Sequence, residues 1–263
     1  MKTISIINMK GGVAKTTTAV SMAELLAEGD KRRKRSGYRV LLLDNDKQGN
    51  ASRLFGVYDR EKEAEACRII KTGHMDGNIL RTKNENMDII PCNYYMELAE
   101  LEIKADQNHA QHDRYRMALD EVSGQYDYCI IDNPPDLGMN VINAMAASDE
   151  IIIPVKLDSY SLDGLIELTD QVNQIKMLNQ KAVIAGILIV DHEKSDTSDA
   201  AEIWLRTASG CPVFEHKIRH SRKVKDSTFY QQTPIQYSVR SGAAQDYKAF
   251  ADEYIWKFGK ERG

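Results

Sequence analysis

Hydrophobic residues fall along this chain in two kinds of stretch. The first kind is short, unbroken and rich in β-branched side chains: Ile4–Ile7, Val40–Leu43, Ile89–Ile90, Tyr128–Ile131, Ile151–Val155, Val183–Val190 and Val213–Phe214. Runs without polar alternation predict strands buried on both faces, as in a parallel sheet between helical layers. The second kind is amphipathic: Thr17–Glu28, Glu61–Lys71, Glu97–Ala105, Arg114–Val122, Val141–Ala147, Leu162–Leu178 and Ser198–Ala208. The clearest helix is the last, where Ala243, Tyr247, Phe250, Ala251, Tyr254, Ile255 and Phe258 recur three and four positions apart. Strand and helix alternate. This order predicts an α/β fold, a doubly wound and mostly parallel sheet of about seven to eight strands with helices on both faces. No repeat and no Pro/Gly/Ser-rich linker divides the chain, so residues 1–263 are expected to form one domain, with a basic insertion near 30–37 that contains Lys31-Arg32-Arg33-Lys34-Arg35.

Composition agrees with that picture. Of the 263 residues, 42% are hydrophobic and 28% charged, which is ordinary for a globular chain and argues against disorder. A chain of this size buries roughly 70–75% of its unfolded surface, enough for a core of its own. The 35 basic residues against 39 acidic ones give a net charge of −4, which excludes a globally basic nucleic-acid coat but leaves room for a local patch. Cys67, Cys92, Cys129 and Cys211 form no C-x-x-C pair and are expected to be reduced thiols in the cytoplasm. The N-terminal apolar run is too short for a signal peptide. The longest apolar stretch, Ala182–Val190, has nine residues, against about 20 needed to cross a bilayer.

The densest chemistry lies at the start. The predicted strand Ile4–Ile7 runs through Asn8-Met9-Lys10-Gly11-Gly12-Val13-Ala14-Lys15-Thr16-Thr17 into a predicted helix. A Gly-rich turn between strand and helix aims backbone N–H groups at one spot, and the helix dipole adds positive potential there. On this pattern Lys15 reaches the β- and γ-phosphates of a nucleotide and the Thr16 hydroxyl ligates Mg2+. The match to the ordinary phosphate loop, G-x-x-x-x-G-K-[ST], is incomplete. Met9 and Ala14 stand where that pattern has glycines, and a second lysine, Lys10, precedes Gly11-Gly12.

Lys10-Gly-Gly-x-x-Lys15-Thr16 resembles the deviant Walker A motif of the ParA/MinD family of P-loop ATPases. Two further segments follow in that family's order. Val40-Leu41-Leu42-Leu43-Asp44-Asn45-Asp46-Lys47-Gln48-Gly49-Asn50 resembles its second acidic motif, and Tyr126-Asp127-Tyr128-Cys129-Ile130-Ile131-Asp132-Asn133-Pro134-Pro135 resembles its Walker B strand and the Pro-Pro switch. The resemblance continues through Ile151–Val155 and Ser159–Leu165 to Ser241-Gly242-Ala243 and the last helix, so it covers essentially the whole chain.

The resemblance implies ATP and Mg2+. Lys10, Gly11, Gly12, Val13, Ala14, Lys15, Thr16 and Thr17 would hold the nucleotide, and Thr16 with Asp132 would hold the metal. Asp132 ends a predicted buried strand, where a carboxylate suits that task. Asp46 would orient the attacking water. Asp44 is the second candidate for that role, and it reads equally as a structural acid at a strand end. In the family the lysine at position 10 reaches across a two-fold dimer to the partner's nucleotide, placing positive charge where the transition state spreads negative charge. ATP would then act as a dimerisation ligand and hydrolysis would reverse the association. Three departures bear on rate: Ala14 for the commonest loop glycine, Lys47 for the usual proline after Asp46, and Asn133 for a small or sulfur-bearing residue. They leave a slow enzyme as the expectation.

The target of such an ATPase must come from the rest of the chain. In His216-Lys217-Ile218-Arg219-His220-Ser221-Arg222-Lys223-Val224-Lys225, five of ten residues are Lys or Arg and none is acidic. The matching segment of partition ATPases supplies sequence-independent contacts to DNA phosphates, which makes Arg219, Arg222, Lys223 and Lys225 the DNA-binding candidates. This cluster and Lys31–Arg35 hold ten of the 35 basic residues, so an acidic body carries two basic spots. The phosphate motif starts at residue 10, so no N-terminal DNA-reading domain is expected, and a ParB-like centromere-binding protein is the partner implied by analogy. The expected protein is a cytoplasmic, nucleoid-associated partition ATPase. The alternatives are a MinD-like ATPase on a membrane or scaffold and a metabolic ligase. Tyr254–Lys260 has the aromatics and lysines of a membrane anchor, but most of its apolar positions continue the core-facing stripe. An iron–sulfur site would need matched cysteines, and Cys129 lies inside a predicted strand while Cys92 has no evident counterpart. His109 and His112 share a helical spacing without the rest of a metal pattern.

Overall fold

The computed structural model of the chain describes residues 1–29, 36–75, 79–157, 170, 173, 174, 177 and 179–259. The strands are β1 (Lys2–Ile6), β2 (Val40–Asp44), β3 (Leu80–Arg81), β4 (Met87–Ile90), β5 (Tyr128–Asp132), β6 (Glu150–Lys156) and β7 (Val183–Val190). They form one seven-stranded sheet in the order β3-β4-β2-β5-β1-β6-β7. All neighbours run parallel except the two-residue edge strand β3, which pairs antiparallel with β4. The described helices are α1 (Lys15–Glu28), α2 (Asn50–Leu54), α3 (Glu65–Thr72), α4 (Met96–Ala105), α5 (Arg114–Glu121), α6 (Met139–Ala147), α7 (Asp196–Ala208), α8 (Arg222–Phe229), α9 (Pro234–Tyr237) and α10 (Gly242–Phe258).

The unbroken apolar runs are explained by two-sided burial. Successive side chains of a strand point to opposite faces. Ile4, Ile6, Val40, Leu42 and Ile130 pack with α1 and α10 on one face, while Leu41, Leu43, Cys129 and Ile131 pack with α3, α4 and α5 on the other. A further cluster joins Ile151, Ile153, Val155, Ile187 and Ile189 to α6 and α7. In register, Ile6 lies beside Asp132, and Asp44 lies beside Asp132. The carboxyl ends of β1, β2 and β5 therefore open at one place, where ligands of open α/β sheets bind.

Val213–Phe214 is not a strand. Val213 makes an isolated parallel bridge to Ile187, and the Phe214 N–H donates to the Ile187 carbonyl. Pro212 offers no N–H, so a regular ladder cannot extend through it. Residues 212–220 instead run beside β7 as an irregular edge, with further bonds from Ile218 to Ile189 and from His220 to His192. Four short elements have no counterpart among the apolar runs and amphipathic stretches of the sequence: α2, β3, α8 and α9. Residues 2–6, 40–44 and 242–258 match their expected elements to within two positions. Most of the expected helix Leu162–Leu178 and the whole Lys31–Arg35 cluster lie outside the described residues.

Candidate functional site: a phosphate loop at three strand ends

The chain leaves β1 at Ile6 and enters α1 at Lys15, and the loop between them is built by unusual backbone angles. Gly12 has φ +74°, and Ala14, at the N-cap, has φ 55° and ψ 32°. Glycine occupies such left-handed positions without penalty, whereas an L-residue pays roughly 1–2 kcal/mol. Ala14 thus carries strain at the position where the ordinary motif has glycine, and its methyl packs against the core beneath α1. A Cβ placed on Gly11 or Gly12 would meet nothing within 4 Å, so the face of the loop is open. The loop is fixed from below by Asn8, whose Nδ2 donates to the Pro154 carbonyl (2.9 Å) and whose Oδ1 accepts from the Lys10 N–H (2.8 Å). Val13 is buried, and Thr16 and Thr17 open α1 half-buried.

Lys15 is 8% exposed and its ammonium donates to the Lys10 carbonyl at 2.8 Å. Burial lowers its pKa, and the nearby carboxylates Asp132, Asp46 and Asp136 act in the opposite direction. The three acids of the motifs meet beside it in different states. Asp132 is wholly buried, and neither of its carboxylate oxygens meets a donor in good hydrogen-bond geometry, although the Thr16 hydroxyl is close by. Burial, with the Asp44 charge next to it, pushes its carboxyl well above the usual range, against the Thr16 hydroxyl and Lys15. A carboxylate that forgoes water without a partner is costly, and a hard cation held by Thr16 and Asp132 oxygens would relieve it. The residues present therefore fit Mg2+.

Asp44 is different. It is equally buried but saturated: Oδ2 accepts from the Ser52 N–H (2.8 Å) and hydroxyl (2.6 Å), and Oδ1 accepts from the Asp46 N–H (3.1 Å). Asp44 ties the start of α2 and the loop after β2 to the end of the sheet. Asp46 sits further out, 7% exposed, with Oδ1 accepting from the Gln48 N–H (2.9 Å). Burial raises its carboxyl and the Lys15 and Lys47 charges lower it. Lys47, in place of proline, pairs with Glu97 at 2.6 Å. The structure thus brings Lys10, Lys15, Thr16, Asp44, Asp46 and Asp132 to one mouth.

A cavity of about 520 Å3 lies between the loop residues Gly12, Ala14 and Thr17 and the strip from Ile218 to Lys225. The basic run is less uniform here than along the sequence. Lys217 pairs with Glu202, and Arg219 makes a two-pronged pair with Asp246 (Nε–Oδ2 and Nη2–Oδ1, both 2.7 Å). Gly242 leaves room for this arginine, since a Cβ there would lie 2.7 Å from Arg219 Cδ. Arg222, Lys223 and Lys225 project from α8 with exposed side chains, and Lys223 approaches the Tyr237 ring at 5.4 Å.

Several site residues carry no motif signature. Ser52, Asn45, Tyr115 and Asn140 are all buried around the acids, and only the polar Asn between two motif acids hinted at them. Cys67, Cys92 and Cys129 are buried free thiols. His109 pairs with Asp106 and His112 is exposed. No helix of the described residues is long and apolar enough to cross a membrane. In the terminal segment, Tyr254 is buried and Phe258 packs on the core, whereas Trp256 is 82% exposed.

A family model for an AAA domain matches residues 1–184. The chain is 39% identical to the sporulation initiation inhibitor protein Soj of Bacillus subtilis, over 96% of this chain and 97% of Soj. It is 28% identical to the chromosome partitioning protein ParA of Caulobacter vibrioides, over 97% of this chain and 94% of that protein. Among solved structures, the septum site-determining protein MinD of Pyrococcus horikoshii in complex with Mg-ADP has the same fold, with TM-score 0.76, 22% identity and 99% of each chain covered. Together with the loop, the two acidic strand ends and the Pro-Pro segment, these matches show that the chain belongs to the ParA/MinD family of P-loop ATPases, among its ParA/Soj-like partition proteins.

Proposed function

We propose that this protein is a Mg2+-dependent ATPase of DNA partitioning. The observation that carries the reading is the meeting of Lys15, Thr16, Asp46 and a buried, poorly satisfied Asp132 at one open phosphate loop. The N–H groups of residues 11–17 and the Lys15 ammonium bind the phosphates of ATP, the substrate. Thr16 and Asp132 hold Mg2+, which when bound draws negative charge off the phosphate oxygens. Asp46 orients the attacking water, and Asp44 holds the Asp46 loop rather than touching the reacting atoms. Lys10 of one protomer of an ATP-closed dimer reaches the other protomer's nucleotide. Arg222, Lys223 and Lys225, doubled in the dimer, hold DNA through its phosphates without reading sequence. Arg219, bound to Asp246, contributes less. A ParB-like partner stimulates an otherwise slow hydrolysis and releases the complex from the nucleoid.

The test is DNA retardation with ATP, ADP or no nucleotide, at two salt concentrations, beside an ATP turnover assay. ATP-dependent, salt-sensitive and sequence-indifferent binding is the expected result. ATP-dependent association with liposomes and none with DNA would replace it with a membrane-positioning role. Turnover that requires a small co-substrate and ignores DNA would replace it with a ligase.

A further inference from the structure

We propose, building on the ATPase reading above, that Asn45 and Asn133 are positioning residues: a buried amide clasp that binds the loop carrying Asp46 to the loop that follows Asp132 and makes the two move as one unit. Asn133 is one of the chain's departures from the family pattern, and Asn45 fills the variable place between the two acids of the second motif. The structure makes them partners. Asn45 Nδ2 donates to Asn133 Oδ1 at 2.8 Å, and both residues are buried.

Every polar atom of Asn45 is engaged. Its N–H donates to the Asp132 carbonyl (2.9 Å), its carbonyl accepts from Asn140 Nδ2 (2.9 Å), and its Oδ1 accepts from the Tyr115 hydroxyl (2.8 Å). Asn133 extends the clasp to the third strand end, with Nδ2 donating to the Ile6 carbonyl at 3.2 Å, just ahead of the phosphate loop. Helix α4 braces the assembly from outside. Glu97 holds Lys47, and Glu100 Oε1 accepts from the Asn140 N–H at 3.2 Å.

Apolar side chains of the same size would fill this space without fixing direction. Paired amides at low dielectric require particular angles, and parting them leaves several buried groups unsatisfied at once. The two loops are therefore held in one relative setting, and a displacement of either is transmitted to the other. Asp46, which orients water, and Asp132, which suits the cation, keep a fixed relation before any nucleotide arrives. Preorganisation of this kind acts on turnover more than on ground-state binding, since a misplacement of about 1 Å can lower a rate 100-fold.

The test combines exchange and kinetics on the full chain. Backbone hydrogen exchange, without nucleotide, reads the clasp directly. In Asn133→Ala the Asn45 and Asp46 amides, on the other loop, should exchange about tenfold faster than in the wild type, above the change at remote amides of α10. Tyr115→Phe, which removes one hydroxyl and keeps the ring, should move the same two amides by a smaller factor. In turnover, Asn45→Ala and Asn133→Ala should each lower kcat about tenfold while ADP affinity, read with a fluorescent ADP, stays within about twofold. The double variant should be no slower than the slower single one. Unchanged exchange at Asn45 and Asp46 in both Asn133→Ala and Tyr115→Phe would overturn the clasp. Strictly additive losses, with ADP affinity falling in step with kcat, would reduce it to general stability and overturn it as well. Faster exchange in these variants, with a wild-type chain that hydrolyses no ATP, would defeat the ATPase reading and leave the clasp standing.

Discussion

The mouth of the phosphate loop and the basic strip of residues 216–225 treat charge in opposite ways. At the loop, charged groups are buried and their partners are near in the chain: Lys15 reaches the Lys10 carbonyl, and Asp44 is satisfied by Ser52 and Asp46. Asp132, whose oxygens meet no donor in good hydrogen-bond geometry, is the acid proposed above to hold the cation. Along the strip, charges lie at the surface and their partners come from remote elements: Glu202 of α7 takes Lys217 and Asp246 of α10 takes Arg219. A run of five cations thereby becomes a face of three. Local motifs thus determine a buried site, whereas a surface site depends on what the fold brings beside each charge.

The largest expected effect belongs to the buried side. Asp132→Ala should lower ATP turnover on the order of 10²–10³-fold, the scale of removing one charge-stabilising group. The same change should raise the melting temperature, because deleting a buried carboxyl without a well-placed donor relieves a penalty of about 1–3 kcal/mol. A phosphate-release assay and calorimetry check both, and a less stable Asp132→Ala would break the contrast. On the surface side, Arg222→Ala/Lys223→Ala/Lys225→Ala should weaken DNA binding and reduce the slope of log K against log salt by about 3 per protomer. Lys217→Ala should leave that slope unchanged, and an equal effect from Lys217 would erase the distinction between paired and exposed cations.

A smaller effect lies at Glu24 of α1, which accepts from the Thr233 hydroxyl and Gln236 amide at α9. Burial raises its carboxyl to about 7 from 4.5, against those two donors. The folded state therefore binds this proton more tightly than the unfolded one. Stability is greatest below the unfolded value and falls, on the order of 1–3 kcal/mol, as pH rises toward about 7. Urea midpoints at pH 5 and pH 8 should show that loss in the wild type and less of it in Glu24→Gln. The smallest effect is at Ala14→Gly, which should stabilise the chain by about 0.5–1 kcal/mol by removing a left-handed alanine. A loss of stability there would mean that the Ala14 methyl contributes more through packing than it costs in strain.

The same contrast explains what was legible. The strands and α10 could be read because two-sided burial and a helical stripe write themselves into the order of apolar residues, as at Leu41–Leu43 and Tyr247–Tyr254. The loop residues Lys10–Thr17 and the acids Asp46 and Asp132 could be located because their chemistry needs fixed spacings. Helix α8 was hidden because only Ser227 of its eight residues is buried, although Ser221 ahead of Arg222 was a capping signal, as was Thr233-Pro234 ahead of α9. The pairing of Asn45 with Asn133, 88 positions apart, and of Arg219 with Asp246 has no local signature, since parallel strand order and a distant helix create both contacts.

The most direct test of the link between the two regions is the lifetime on DNA of wild-type protein and Asp46→Ala, each loaded with Mg-ATP and then diluted into ATP-free buffer. If Asp46 orients the attacking water and hydrolysis releases the DNA face, Asp46→Ala should bind ATP, engage DNA and remain bound many times longer than the wild type. Equal lifetimes, or DNA binding by both proteins that ignores nucleotide, would contradict it.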